Sequence, residues 1–170
     1  MVALNEEVNG EGINIRILLK NGYIVNFDGK FHGDILVEDG QIIKVGRNIT
    51  EQAESVIDAE GNYVFPGFID SHTHIGCHKE LGFSKETKAA KLGGTTTIFD
   101  FVYPKKGERL ITALNSKRSQ YEGIDNCKVE LHVVISEFTE DMYEQLKEIK
   151  RAGVRGVKVY TTHDINKAKQ

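Results

Sequence analysis

A change of rhythm at Pro66-Gly67 constrains the fold of this chain more than any other feature. Before it, short β-prone runs at residues 13–19, 23–27, 34–37 and 41–45 are punctuated by Asn21-Gly22, Asp28-Gly29 and Asp39-Gly40. Such dipeptides tolerate the positive φ of tight hairpin turns, so residues 13–66 are expected to form an antiparallel meander or small β-sandwich behind a polar tail, 1–12. After it, strands and helices alternate. Residues 68–74 open as a strand, and Ser84 is placed to cap a helix through Lys91 that stops at Gly93-Gly94. Residues 95–101 are β-branched and aromatic, 108–121 have helical spacing, and 128–135 return to a strand. Thr139 opens a helix to Ala152, and 154–161 form a fourth strand. This succession predicts parallel strands joined by right-handed crossovers. A (β/α)8 barrel needs about 250 residues. Residues 67–170 therefore suit either a four-stranded α/β domain or the first half of a barrel.

The chemistry concentrates where that rhythm changes. In Phe68-Ile69-Asp70-Ser71-His72-Thr73-His74, residues two apart share one face of a strand, which sets His72 and His74 side by side with Asp70 on the same face. Imidazole is the commonest nitrogen ligand for zinc-like metals, and a neighbouring carboxylate commonly orients it from outside the coordination sphere. Two histidines on a solvated strand end are the plainer alternative. Lys158 is the second clue, set between Val157 and Val159 where an unpaired ammonium is costly to bury. Taken alone, a strand lysine more often extends its amine to solvent or pairs with an acid.

Composition narrows the remaining classes. Charged residues make up 28% of the 170 and the net charge is −3, which argues against a nucleic-acid or anionic-membrane partner. Lys105-Lys106 reads as a pair of solvated loop charges. No apolar run approaches the ~20 residues that span a bilayer, and residues 1–12 lack the pattern of a secretory signal. Cys77 and Cys127 make neither a metal spacing nor a disulfide framework, so a reducing cytoplasm is expected.

Four stretches together resemble the dihydropyrimidinase and hydantoinase branch of the cyclic-amide amidohydrolases. They are residues 65–74, residues 87–101 with Gly93-Gly94-Thr95-Thr96-Thr97, residues 131–137, and Gly156-Val157-Lys158-Val159-Tyr160. The resemblance implies the first half of a (β/α)8 barrel behind a small β-sandwich. It also implies two divalent metal ions, zinc in the first instance, held by His72, His74 and a carbamate on Lys158. A metal-activated water would then open a cyclic amide or ureide of the hydantoin or dihydropyrimidine type. The family's two later histidine ligands and its acid–base aspartate have no counterpart here. The chain alone is therefore expected to be an incomplete, inactive N-terminal portion, whose complete form needs the other half of the barrel and assembles as a homo-oligomer, a tetramer.

Some positions depart from the pattern or carry less weight. The family tyrosine five residues after the bridging lysine is replaced by His163, which can donate a hydrogen bond to a developing oxyanion or simply face solvent. Cys77 and His78 follow the histidine pair in the loop expected to border the substrate, with Cys77 as a lining thiol. His132 on the third strand is better explained as a pocket histidine than as a ligand, His32 as a surface residue, and Asp100 as structural. Gly93-Gly94 precede a strand, so they are a helix stop and not a phosphate loop. Dihydroorotases carry arginine two residues after the histidine pair, and this chain has Gly76. An allantoinase-like hydrolase remains an alternative. So does a non-catalytic scaffold of the same fold, although such a scaffold would be expected to lose the histidine pair and the lysine.

Overall fold

The computed structural model describes residues 15–77 and 80–160. The expected positions His78 and His163 lie outside the described residues. The chain divides into two compact units between Gly67 and Phe68.

The first unit is one five-stranded sheet. β1 (Arg16–Asn26), β2 (Gly29–Glu38) and β3 (Gln41–Gly46) form an antiparallel meander, with Asn26 opposite Gly29 and Glu38 opposite Gln41 across two-residue hairpins. Asp39 and Gly40 both take positive φ, 48° and 74°, the backbone that a primed two-residue turn requires. Asn21-Gly22 is not a hairpin turn, contrary to the sequence expectation. β1 runs straight through it with a register shift between Leu19 and Gly22. Asn21 takes the left-handed conformation and donates its N–H to Asp34 Oδ1 at 3.0 Å. Asp34, 5% exposed, also accepts from Ile49 N at 2.9 Å, which satisfies a carboxylate that would be costly to bury unpaired. A second difference concerns β4 (Ser55–Asp58) and β5 (Tyr63–Val64). Both pair with β1 in parallel, so the sheet is mixed and not wholly antiparallel. Leu19, Ile24, Ile35 and Val37 form one small apolar cluster, and Leu18, Leu36 and Ile49 another.

In the second unit, β6 (Phe68–Asp70), β7 (Thr95–Val102), β8 (Lys128–Ile135) and β9 (Val157–Val159) form a parallel sheet in chain order. α1 (Gly82–Leu92), α2 (Leu110–Ser119) and α3 (Met142–Arg151) connect them, giving half of a (β/α)8 barrel. α1 starts two residues before Ser84, and its cap position, Leu81, makes no side-chain cap bond. Alternation sorts the strand side chains. Val102, Val133 and Ile135 join Leu110, Leu114 and Ile149 in the helix-side core, so Phe99, Phe101, His132 and Lys158 occupy the opposite face. Gln145 Oε1 of α3 accepts from Leu110 N at 3.0 Å, satisfying an otherwise orphaned donor at the start of α2. Among the described residues, no helix is long and apolar enough to cross a membrane.

Candidate active site

Strand β6 ends at Asp70, so His72 and His74 stand in the segment beyond its carboxyl end and not in the strand itself. Three contacts set that segment. Asp70 Oδ1 accepts from His72 N at 3.1 Å, and Thr73 sends both its N–H (2.9 Å) and its Oγ1 (3.0 Å) to the Phe99 carbonyl. Asp70 thus shapes the backbone at His72. The rings of His72 and His74 still come together, with centroids 5.1 Å apart.

Lys158 arrives from β9, 86 residues further along the chain, and its Nζ lies 3.3 Å from His72 Nε2. Register explains the meeting. Phe101 pairs with His132 and Val134 pairs with Lys158, which brings these side chains to the face away from the helices. Phe101 forms the floor. Its ring centroid is 4.7 Å from that of His72 and 5.3 Å from that of His74, and the Lys158 amine sits 4.2 Å from the ring. A cation over an aromatic face gains roughly 0.5–2 kcal/mol according to its exposure. The Tyr103 hydroxyl completes the rim, 3.4 Å from His74 Nδ1 and 3.4 Å from the Tyr160 hydroxyl.

These neighbours set protonation. Partial burial, then the charges of Lys158 and His72, push the His74 pKa below the ordinary histidine value, favouring the neutral imidazole whose lone pair can bind a metal. Burial and the bond to Tyr160 push the Tyr103 hydroxyl well above the usual tyrosine range, so it stays protonated and able to donate.

The other expected positions are more peripheral. Cys77 is exposed. His132 packs its ring against Phe99 (5.0 Å) and Phe101 (5.9 Å) on the site face, and a Cβ at Gly156 would stand 2.8 Å from its Nε2. Among the described residues, no group of three or more His, Cys, Asp or Glu side chains is gathered to hold a metal ion. The donor set is two imidazoles and an amine. Phe101, Tyr103 and Tyr160 were not singled out as site residues in the sequence argument. The period-two pattern along 99–103 was the signal for the first two, because it sends Phe99, Phe101 and Tyr103 to one face.

Gly76 separates the candidate families. It has a φ of +79°, and a Cβ there would meet the Phe83 ring at 2.5 Å. The loop after the histidine pair is therefore built around the absence of a side chain where the dihydroorotase pattern needs arginine. The amidohydrolase family model matches residues 55–97. A D-hydantoinase of Geobacillus stearothermophilus is 41% identical over 152 residues, covering 86% of this chain and 32% of the relative. The dihydropyrimidinase of Rattus norvegicus is 35% identical over 159 residues, covering 87% and 31%. Over most of its length this chain is similar to hydantoinases and dihydropyrimidinases. It spans about a third of the length of these curated relatives. A crystal structure of a D-hydantoinase superposes with a TM-score of 0.81 at 36% identity, covering 89% of this chain and 34% of that one. A dihydroorotase structure, at 20% identity and a TM-score of 0.59, shares the fold alone.

Proposed function

We propose that this chain contributes the N-terminal share of a metal-dependent active site that hydrolyses cyclic amides or ureides of the hydantoin or dihydropyrimidine type. The observation that carries the reading is the 3.3 Å approach of Lys158 Nζ to His72 Nε2, with the His74 ring beside them. The donor chemistry fits a divalent cation, zinc in the first instance, once Lys158 is carboxylated. Neutral imidazoles supply nitrogen lone pairs, and a carbamate supplies the anionic oxygens that two imidazoles lack. Carboxylation joins the neutral Lys158 amine to carbon dioxide, forming one N–C bond and releasing one proton. When bound, the metal would acidify a coordinated water and polarise the substrate carbonyl.

The chain's own residues have separate tasks on this reading. His72 and His74 would hold the cation, and Lys158, as the carbamate, would supply its anionic oxygens. Phe101 excludes water from beneath them and fixes the imidazole planes. Tyr103 stays protonated beside His74 Nδ1 and can hold that ring in one tautomer. Retention of the histidine pair and the lysine together favours an enzyme over a scaffold. We place the further ligands, the acid–base group and the rest of the barrel outside this sequence, and assign to Cys77 the rim of the substrate loop.

The test is metal content and carboxylation together. The purified chain, loaded with zinc in labelled bicarbonate, should hold at most one loosely bound metal, and Lys158→Ala should abolish any carbamate signal. Joined to the remaining part of a relative's barrel, the wild-type chain should support metal-dependent hydantoin opening, and His74→Ala should not. Full hydrolysis by a His72→Ala/His74→Ala variant in that assembly would refute the proposal.

A further inference from the structure

The loop that follows His74 is held by three side chains from three separate elements. Asp100 Oδ1 of β7 accepts from Ile75 N at 3.2 Å, Lys117 Nζ of α2 donates to Ile75 O at 3.2 Å, and Glu86 Oε2 of α1 accepts from Gly76 N at 3.1 Å. The anchors are themselves locked. Lys117 pairs with Asp100 Oδ2 at 2.7 Å, with side chains only 15% and 2% exposed. Tyr121 donates its hydroxyl to the same Asp100 oxygen at 2.6 Å, and the Lys117 amine lies 4.6 Å from the Phe83 ring that also abuts Gly76.

We propose that Lys117, Asp100 and Glu86 form a three-point clamp on Ile75 and Gly76, and that Lys117 thereby acts as a positioning residue for the imidazoles of His72 and His74. None of the three touches either imidazole. Their leverage is through the backbone, because Ile75 is bonded on both its N–H and its carbonyl immediately after His74. Ion pairs with this little exposure are uncommon unless fully hydrogen-bonded. Here Asp100 is satisfied by Tyr121 and by the Phe101 N–H at 2.8 Å, and each member of the pair makes one further bond to Ile75. With strand β6 ending at Asp70, the clamp continues past His74 the anchoring that Thr73 begins on the Phe99 carbonyl.

Amide hydrogen exchange on the metal-free 170-residue chain tests the clamp directly. Lys117→Met should speed exchange at the Ile75 and Gly76 amides about tenfold or more relative to Val133 and Val134, and should move the imidazole resonances of His72 and His74. Lys117→Arg, which keeps the cation, should restore most of the wild-type pattern. Ile149→Val is the control, since it trims the helix-side core without removing any bond of the clamp and should leave the ratio unchanged. Should Lys117→Met fail to fold, Glu86→Ala decides: it removes only the Gly76 acceptor and should accelerate that amide and shift the His74 signals. Unchanged exchange at Gly76 in Glu86→Ala, or equal acceleration in Ile149→Val, would overturn the proposal. A second arm, cobalt affinity, rests on the reading of His72 and His74 as ligands and should fall about tenfold in Lys117→Met. If the wild-type chain binds no cobalt, that reading fails while the exchange arm still decides the clamp.

Discussion

Replacing Gly76 with alanine probes both the loop and the family assignment. Two costs add at this position. At a φ of +79° an L-residue enters the left-handed region, at roughly 1–2 kcal/mol. The new methyl would also stand 2.5 and 2.6 Å from Phe83 ring carbons, closer than Cβ contacts tolerate. Phe83 cannot withdraw freely, because its ring packs edge-on against Tyr121 at 4.8 Å and lies beneath the Lys117 amine. Overpacking of this kind costs about 1–3 kcal/mol, so Gly76→Ala should destabilise by about 2–5 kcal/mol in total. Gly123→Ala isolates the backbone share: its φ is +74° and nothing lies within 4 Å of the added methyl. Urea unfolding of both variants, followed by circular dichroism, should show the same slope and a larger loss for Gly76→Ala, by at least about 1 kcal/mol. Equal losses would refute the steric argument, and with it the explanation of why arginine has no place here.

Three further outcomes follow from the packing and the charges. Lys117→Met leaves the buried Asp100 carboxylate without its cation and should cost about 3–5 kcal/mol in urea unfolding, whereas Lys117→Met/Asp100→Asn should recover part of that loss. Leu114→Ala, at a side chain with 0% exposure in the helix-side core, should cost about 2–5 kcal/mol without altering the exchange of the Ile75 amide. Asp58 is held below the usual carboxylate range by the N–H of Glu60 and the Asn21 amide, and Asp141 by the Thr139 hydroxyl and Gln145. A depressed folded-state pKa gives stability that is present above about pH 4 and lost as pH falls through the folded value. The acid limb of the stability profile should therefore flatten in Asp58→Asn/Asp141→Asn when followed by thermal unfolding.

Much of the fold was legible because its signals are local. The Asp39-Gly40 turn, the glycines ending α1, and the strands at 95–102 and 128–135 stand where turn chemistry and β-branched runs put them. Asn21-Gly22 misled because an Asx-Gly pair suits a bulge as well as a hairpin, and only the distant Asp34 carboxylate decides between them. The histidine pair was visible as a motif, yet its geometry was not: the strand stops at Asp70, and Thr73 bonds to Phe99 place the rings. Lys158 was legible by spacing from the family resemblance. The clamp was hidden, since Asp100, Lys117 and Glu86 lie on three elements and show no shared spacing. Asp100 was expected to be structural, and its bonds to Ile75, Tyr121 and Lys117 give that expectation a definite form.

The central claim is that His72, His74 and Lys158 form one metal-binding group. Zinc titration of the metal-free chain, monitored through the imidazole resonances and repeated in labelled bicarbonate, tests it most directly. The account predicts that His72 and His74 shift together on the first addition of metal, and that His74→Ala or Lys158→Ala weakens the binding. Zinc that leaves both imidazoles unmoved, or that binds the two variants as tightly as the wild-type chain, would contradict it.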